Sequence, residues 1–169
     1  MEDPDVLLAT ILDWARDDPR VTGVVQTGSR ARRRRVDEFS DLDIELIGPG
    51  RDSLGSDDSW FHSFGDVMVV LPLENDDGPE DEASWPTRLV VYAGGRKVDF
   101  TLAGEERIGD MVFNGLDELY DHGYKVHHDK SGLLDKLPEP PARATCPNHC
   151  PNHAWHRRTD RSPCGTSAT

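Results

Sequence analysis

Hydrophobic and polar positions change period several times along the first 137 residues, and each change predicts an element. Val6, Leu7, Ile11, Leu12 and Trp14 recur at helical spacing, so a helix is expected over residues 5–17 with Asp3-Pro4 at its start. Residues 21–26 are a short β-branched run, which predicts a buried strand ending at the Gly28-Ser29 turn. Residues 41–47 alternate: Asp41, Asp43 and Glu45 fall on one face of a strand, and Leu42, Ile44 and Leu46 on the other. A further strand is expected over 67–71. Residues 87–92 and 97–102 flank Ala93-Gly94-Gly95-Arg96 and read as a hairpin. The acidic stretch 74–84 contains Gly78-Pro79 and reads as a solvated loop. Residues 108–120 predict a helix with a break near Gly115, 124–128 a closing strand, and 131–137 a last helical turn or two. Trp60, Phe61 and Phe64 sit at helical spacing and read as core. The sum is an α+β domain, a mixed β-sheet with flanking helices.

This patterning stops at residue 137. From Pro138 onward there is no Val, Ile, Leu, Phe, Met or Tyr, and the segment holds six of the 12 prolines and all three cysteines. Trp155 alone cannot bury enough surface to offset the entropy of ordering. Residues 1–137 are therefore expected to form the folded domain, and 138–169 a disordered Pro/Cys/Arg-rich tail. Cys146, His149, Cys150 and His153 carry zinc-binding atoms, but one short proline-stiffened loop is poorly placed to wrap four ligands tetrahedrally. Free thiols are the expectation there.

Charge narrows the function classes. Lys+Arg of 19 against Asp+Glu of 32 gives −13, which argues against a general nucleic-acid surface. The run Arg32 to Arg35 accordingly reads as a solvated face. An acidic surface suits a cationic small molecule. With no apolar leader and no apolar run long enough to span a bilayer, a cytoplasmic location without membrane contact is expected.

The chemistry concentrates at three places. Asp41 and Asp43 share a strand face and repel each other unless a cation lies between them. Oxygen ligands on a strand suit Mg²⁺, which commonly takes one or two carboxylates plus substrate phosphates. The Gly28-Ser29 turn can present backbone N–H groups to those phosphates. Asp99 lies between Val98 and Phe100 on the second hairpin strand, and its charge makes sense if it faces the same cation. Three such carboxylates can hold metal ions that clamp a phosphoryl displacement. With one ion fewer, Asp99 could serve instead as general base.

Gly28-Ser29, Asp41-Leu42-Asp43-Ile44 and Asp99 resemble the nucleotidyltransferase superfamily related to DNA polymerase β. The wider run is more specific: Phe39-Ser40-Asp41-Leu42-Asp43-Ile44, Trp60 to Phe64 with Gly65, Gly95-Arg96-Lys97-Val98-Asp99-Phe100-Thr101-Leu102, Gly123-Tyr124-Lys125-Val126 and Asp129-Lys130-Ser131-Gly132-Leu133-Leu134. Together these resemble the aminoglycoside 6-adenylyltransferases, the streptomycin-modifying resistance enzymes. The resemblance implies a polymerase β-like fold, with Asp41, Asp43 and Asp99 as catalytic metal ligands. It places Gly28 and Ser29 on the ATP phosphates, with Arg30 as a further phosphate contact. It implies Mg²⁺-dependent AMP transfer from ATP to a hydroxyl of a cationic aminoglycoside, with Glu45 or Asp66 meeting its ammonium groups. Family members continue into a mostly helical domain, whereas the motif resemblance here ends near Pro141, so a chain lacking that domain is expected. A minimal nucleotidyltransferase with another acceptor and a non-catalytic remnant are the competing readings. The presence of all three carboxylates disfavours the remnant.

Overall fold

The computed structural model describes residues 4–32, 40–73 and 85–141. The expected cap residue Asp3, Arg33 to Arg35 of the basic run, the acidic loop 74–84 and the tail beyond Pro141, with Cys146, His149, Cys150 and His153, lie outside the described residues.

Helix α1 (Pro4–Asp17) begins at proline, whose missing N–H costs nothing in a first turn, and buries Leu7, Ile11 and Ala15. It is followed by β1 (Gly23–Gln26), the short helix α2 (Gly28–Ala31), β2 (Leu42–Ile47) and helix α3 (Arg51–Ser56). A 3₁₀ turn over Trp60–Phe64 leads into β3 (Val67–Leu73). The hairpin β4 (Thr87–Tyr92) and β5 (Lys97–Ala103) then precedes α4 (Glu105–Asn114), α5 (Glu118–Asp121), β6 (Lys125–Asp129) and a 3₁₀ turn over Leu134–Lys136. Helices α4 and α5 are split at Gly115, whose φ of 102° ends the first helix, as the sequence predicts. Helix α3 is not evident from the sequence, because only Leu54 of its six residues is apolar and buried.

The six strands form one mixed sheet in the order β3-β4-β5-β2-β1-β6. The central pair β2 and β5 is parallel, with Asp43 opposite Asp99, and the other pairs are antiparallel. The mixed sheet and flanking helices bear out the α+β reading.

One face of the sheet is covered over its central strands. Leu42, Ile44, Leu46, Val98, Phe100 and Leu102 pack there under α1 and the Trp60–Phe64 turn. Trp60 lies edge-on to Phe100 at 4.9 Å and stacks on Trp14 at 5.5 Å, so its cluster with Phe61 and Phe64 is core, as expected. The opposite face is covered only in part. Ile108, Met111, Tyr120 and Leu134 pack over Val25, Ile47 and Ala103. That cover reaches back along β2 to Glu45 and ends before Asp43, which is only half-buried. The uncovered stretch is where the acids stand.

Candidate active site

Gly28 and Asp43 meet at the edge of this opening. Gly28 adopts φ +68°, a conformation that side chains other than glycine rarely take, and a Cβ placed on it would lie 1.9 Å from Asp43 Oδ2. The Thr27 N–H donates to the Asp43 carbonyl at 3.0 Å, which fixes the turn against β2. The turn then opens into α2. There Arg30 Nε donates to the Ser40 carbonyl at 3.0 Å and Arg32 Nε to the Gly28 carbonyl at 2.9 Å. Two guanidinium groups and the Gly28-Ser29 turn thus flank the carboxylates.

Asp43 and Asp99 are register partners on adjacent parallel strands, so their side chains leave the same face side by side. Burial pushes the Asp99 carboxyl above its ordinary value, and the neighbouring Asp43 and Asp41 push it further. Asp43 is raised too, by burial and then by Asp41, with Arg32 and Arg30 opposing. Asp99 Oδ1 is buried and has no hydrogen-bond partner. Asp41, just before β2, faces Lys97 Nζ at 3.8 Å.

Two raised carboxylates and an orphaned buried oxygen describe a site short of positive charge. The donors are hard oxygens, which fit Mg²⁺ rather than a thiophilic ion. Among the described residues no trio of His, Cys, Asp or Glu side chains is placed to enclose a metal ion by itself. A cation here would therefore complete its shell with substrate or water oxygens, the usual state of Mg²⁺ at phosphoryl-transfer sites.

Glu45 departs from its expected role. It lies on the same strand face as Asp43, but it is 1% exposed and cannot meet a ligand's ammonium group. Its oxygens instead accept from Arg107 Nε at 2.7 Å and from the Tyr120 hydroxyl at 2.8 Å. Arg107 Nη2 continues to Asp117 at 2.7 Å, and Asp117 caps α5 by accepting from the Tyr120 N–H. Burial raises the Glu45 carboxyl, against the opposing pull of Arg107 and Tyr120. This buried network joins β2, two residues past Asp43, to α4 and α5. Asp66 is exposed at the start of β3, and its carbonyl accepts from Ala93 N beside the β4–β5 turn.

Beside the Gly28-Ser29 turn opens a cavity of about 470 Å³. It is lined by Ser29, Ala31 and Arg32, by residues 121–124, and by Pro140 and Pro141. The Asp129 run quoted among the motifs proves to be a structural clasp. Asp129 accepts backbone N–H bonds from Ser131, Gly132, Leu134 and Asp135, while Lys130 Nζ donates to the carbonyls of Ala15 near the end of α1 and of Asp18 and Val21 in the connection to β1.

Of the six residues singled out from the sequence, the structure brings Gly28, Asp43 and Asp99 together, sets Asp41 beside them with Lys97, and places Ser29 and Arg30 on the adjoining helix. Lys97 and the Arg107 network were not anticipated. Lys97 had a local signal, two residues before Asp99 in the quoted motif, whereas Arg107 reaches Glu45 from 62 positions away.

A family model described as streptomycin adenylyltransferase matches residues 1–159, beyond the Pro141 at which the motif resemblance ends. An aminoglycoside 6-adenylyltransferase of Bacillus subtilis is 29% identical over 137 residues, covering 80% of this chain and 46% of that relative. One from Campylobacter jejuni is 30% identical over 137 residues, covering 77% of this chain and 43% of the relative. The chain thus spans about half the length of the curated relatives it matches. In fold it is similar to the crystal structure of an aminoglycoside 6-adenyltransferase from Bacillus subtilis, with a TM-score of 0.52 at 22% identity over 68% of this chain and 40% of that one.

Proposed function

The chain belongs to the streptomycin adenylyltransferase family, and from that membership we propose that its site takes part in transferring AMP from Mg·ATP to a hydroxyl of a streptomycin-like aminoglycoside. The observation that carries this reading is the pairing of Asp43 with Asp99 across β2 and β5, with Gly28 packed against Asp43. Gly28 and Ser29 receive the triphosphate, and Arg30 and Arg32 add positive charge on the same side; guanidinium groups match phosphate oxygens well. Asp43 and Asp99, with Asp41 beside them, would hold Mg²⁺ together with substrate oxygens, and the ion would supply neutralisation of the phosphate charge. In the transfer, the acceptor oxygen bonds to the α-phosphorus. The bond from that phosphorus to the oxygen bridging the β-phosphate breaks, and pyrophosphate leaves with the electron pair.

With one ion fewer, Asp99 would serve instead as the general base that takes the acceptor's proton, a role supported by its buried Oδ1, which has no hydrogen-bond partner, and by its raised pKa. The acidic composition, −13 overall, favours a polycationic acceptor.

The test is pyrophosphate release from Mg·ATP with streptomycin and other aminoglycosides as acceptors. Stimulated release that falls about 100-fold or more in Asp43→Asn is the expected result, since positioning and charge neutralisation are most of phosphoryl-transfer catalysis. If ATP binds and no aminoglycoside stimulates release, the transfer reading fails for this chain. A role for Asp99 as base predicts a rate that rises with pH through the Asp99 pKa, a limb absent from Asp99→Asn.

A further inference from the structure

We propose that the apolar half of the sheet face bearing Asp43 and Asp99 is the docking surface for the chain's own C-terminal segment, seated through Trp155 with Arg157 and Arg158 against the carboxylates. The strand register lays rows of side chains across this face. Leu71, Leu89, Asp99 and Asp43 are successive partners on β3, β4, β5 and β2. Val69, Val91 and Lys97 form the row on one side of them, and Leu73, Thr87 and Thr101 the row on the other. Partners on adjacent strands share a face, while Val70, Val90 and Val98 point to the opposite side and pack in the core there. The face is thus divided, aliphatic on β3 and β4 and charged on β5 and β2. Leu89 stands one strand spacing, about 5 Å, from Asp99.

The aliphatic half is uncovered. Val69, Leu71 and Leu73 are 47%, 48% and 43% exposed, and Leu89 and Val91 beside them are half-buried. Aliphatic side chains contiguous over two strands and open to water mark a surface that another segment covers. That segment must set an apolar group beside cations, because the adjoining carboxylates are short of positive charge and Asp99 Oδ1 is buried without a hydrogen-bond partner. A second copy laid face to face on this one would bring acids against acids.

Residues 142–169 carry that combination in their sequence. Trp155 is their only large apolar side chain, His156-Arg157-Arg158 follows it directly, and four arginines stand against Asp160 alone. A tryptophan buries about 150–250 Å², and guanidinium groups pair with carboxylates through two parallel hydrogen bonds. Reach is ample. Pro141 lines the cavity beside the Gly28-Ser29 turn, and the fourteen residues from there to Trp155 extend up to about 46 Å. Strand β3 lies three spacings from β2, about 15 Å. A single aromatic anchor beside cations also suits a segment too poor in apolar residues to fold by itself. Docked in this way, the arginines compete with Mg²⁺ for the carboxylates; this consequence rests on the metal reading above, and the docking does not.

All three cysteines, Cys146, Cys150 and Cys164, lie in this segment, so a spin label can be placed there and nowhere else. In the full chain carrying Cys146→Ser and Cys164→Ser, a nitroxide on Cys150 should broaden the methyl NMR signals of Val69, Leu71, Leu89 and Val91 most strongly. Trp155→Ala and Leu71→Asp should each abolish that broadening, and Trp155→Phe should keep it. Trp155→Ala alters no residue of the sheet, so it decides the matter should Leu71→Asp fail to fold. Broadening centred elsewhere, or surviving both substitutions, overturns the proposal. So does broadening transferred in full to an unlabelled copy in a mixed sample, which makes the occupant a second chain. Calorimetry reads the competition: Trp155→Ala should bind Mg²⁺ about threefold more tightly, the factor expected if the segment occupies the site about two-thirds of the time. Equal affinity in the two proteins overturns the competition. Failure of Mg²⁺ to bind either protein removes the metal reading and leaves the spin-label result to decide the docking.

Discussion

Gly28 answers two demands at once, a left-handed backbone and a carboxylate where its side chain would be. Gly28→Ala should cost about 1–2 kcal/mol in urea unfolding from the φ constraint alone. It should also displace Asp43, so Mg·ATP affinity should drop by about tenfold or more; an alanine variant with native affinity would separate the turn from the carboxylate. Asp99 stands in the opposite relation to stability. Its pKa is raised in the fold, by burial first and then by Asp43 and Asp41, so the folded protein holds that proton more tightly than the unfolded chain does. The penalty is absent below the unfolded carboxyl value, grows as pH rises through the folded one, and is complete above it. In chelator at pH 7, Asp99→Asn should therefore melt higher, by roughly 2–4 °C if ~1 kcal/mol is relieved, and the advantage should vanish below about pH 4. A lower melting temperature for the variant at pH 7 would contradict the strain. A residue that lowers the stability of the empty protein and faces an opening is the mark of a site kept for a ligand.

The elements explain which parts could be read beforehand. Strand β2 follows from alternation and β4 and β5 from the glycine turn between them, and once β2 and β5 exist as strands, Asp43 and Asp99 necessarily point off faces of a sheet. Their adjacency needs one further fact, that β5 pairs with β2 in parallel. Helix α4 begins at Glu105 rather than 108 because its first turn is acidic, which suits a helix start but carries no apolar signal. The fate of Glu45 was not legible, since strand periodicity assigns a face and says nothing of what later covers it. What covers it is the pair of helices tied down by Arg107. Arg107→Met should be strongly destabilising, about 3–5 kcal/mol, because it strands the Glu45 carboxylate in the interior. Glu45→Leu combined with Arg107→Met should recover most of that loss. Urea unfolding of the two variants checks both statements, and equal instability in single and double variants would mean that packing rather than charge holds the helices.

For the molecule as a whole, two kinds of electrostatic repulsion coexist and respond to different ions. One is diffuse, the excess of 32 acidic over 19 basic residues, and any salt screens it. The other is local, the Asp43–Asp99 pair beside Asp41 at the stretch of β2 that its helices leave open. Sodium chloride should raise the melting temperature through the first kind alone. Magnesium at the same ionic strength should add a further increment by binding the folded state and not the unfolded one. At tenfold its Kd that increment is ~1.4 kcal/mol, or roughly 3–5 °C for a domain of this size. Asp43→Asn and Asp99→Asn should each abolish the magnesium increment and keep the sodium response. The opposite pattern, an increment indifferent to both substitutions, would place the cation elsewhere on the acidic surface. The comparison separates a charge distribution that serves solubility and attraction of cations from three residues that one sheet register has brought to one place.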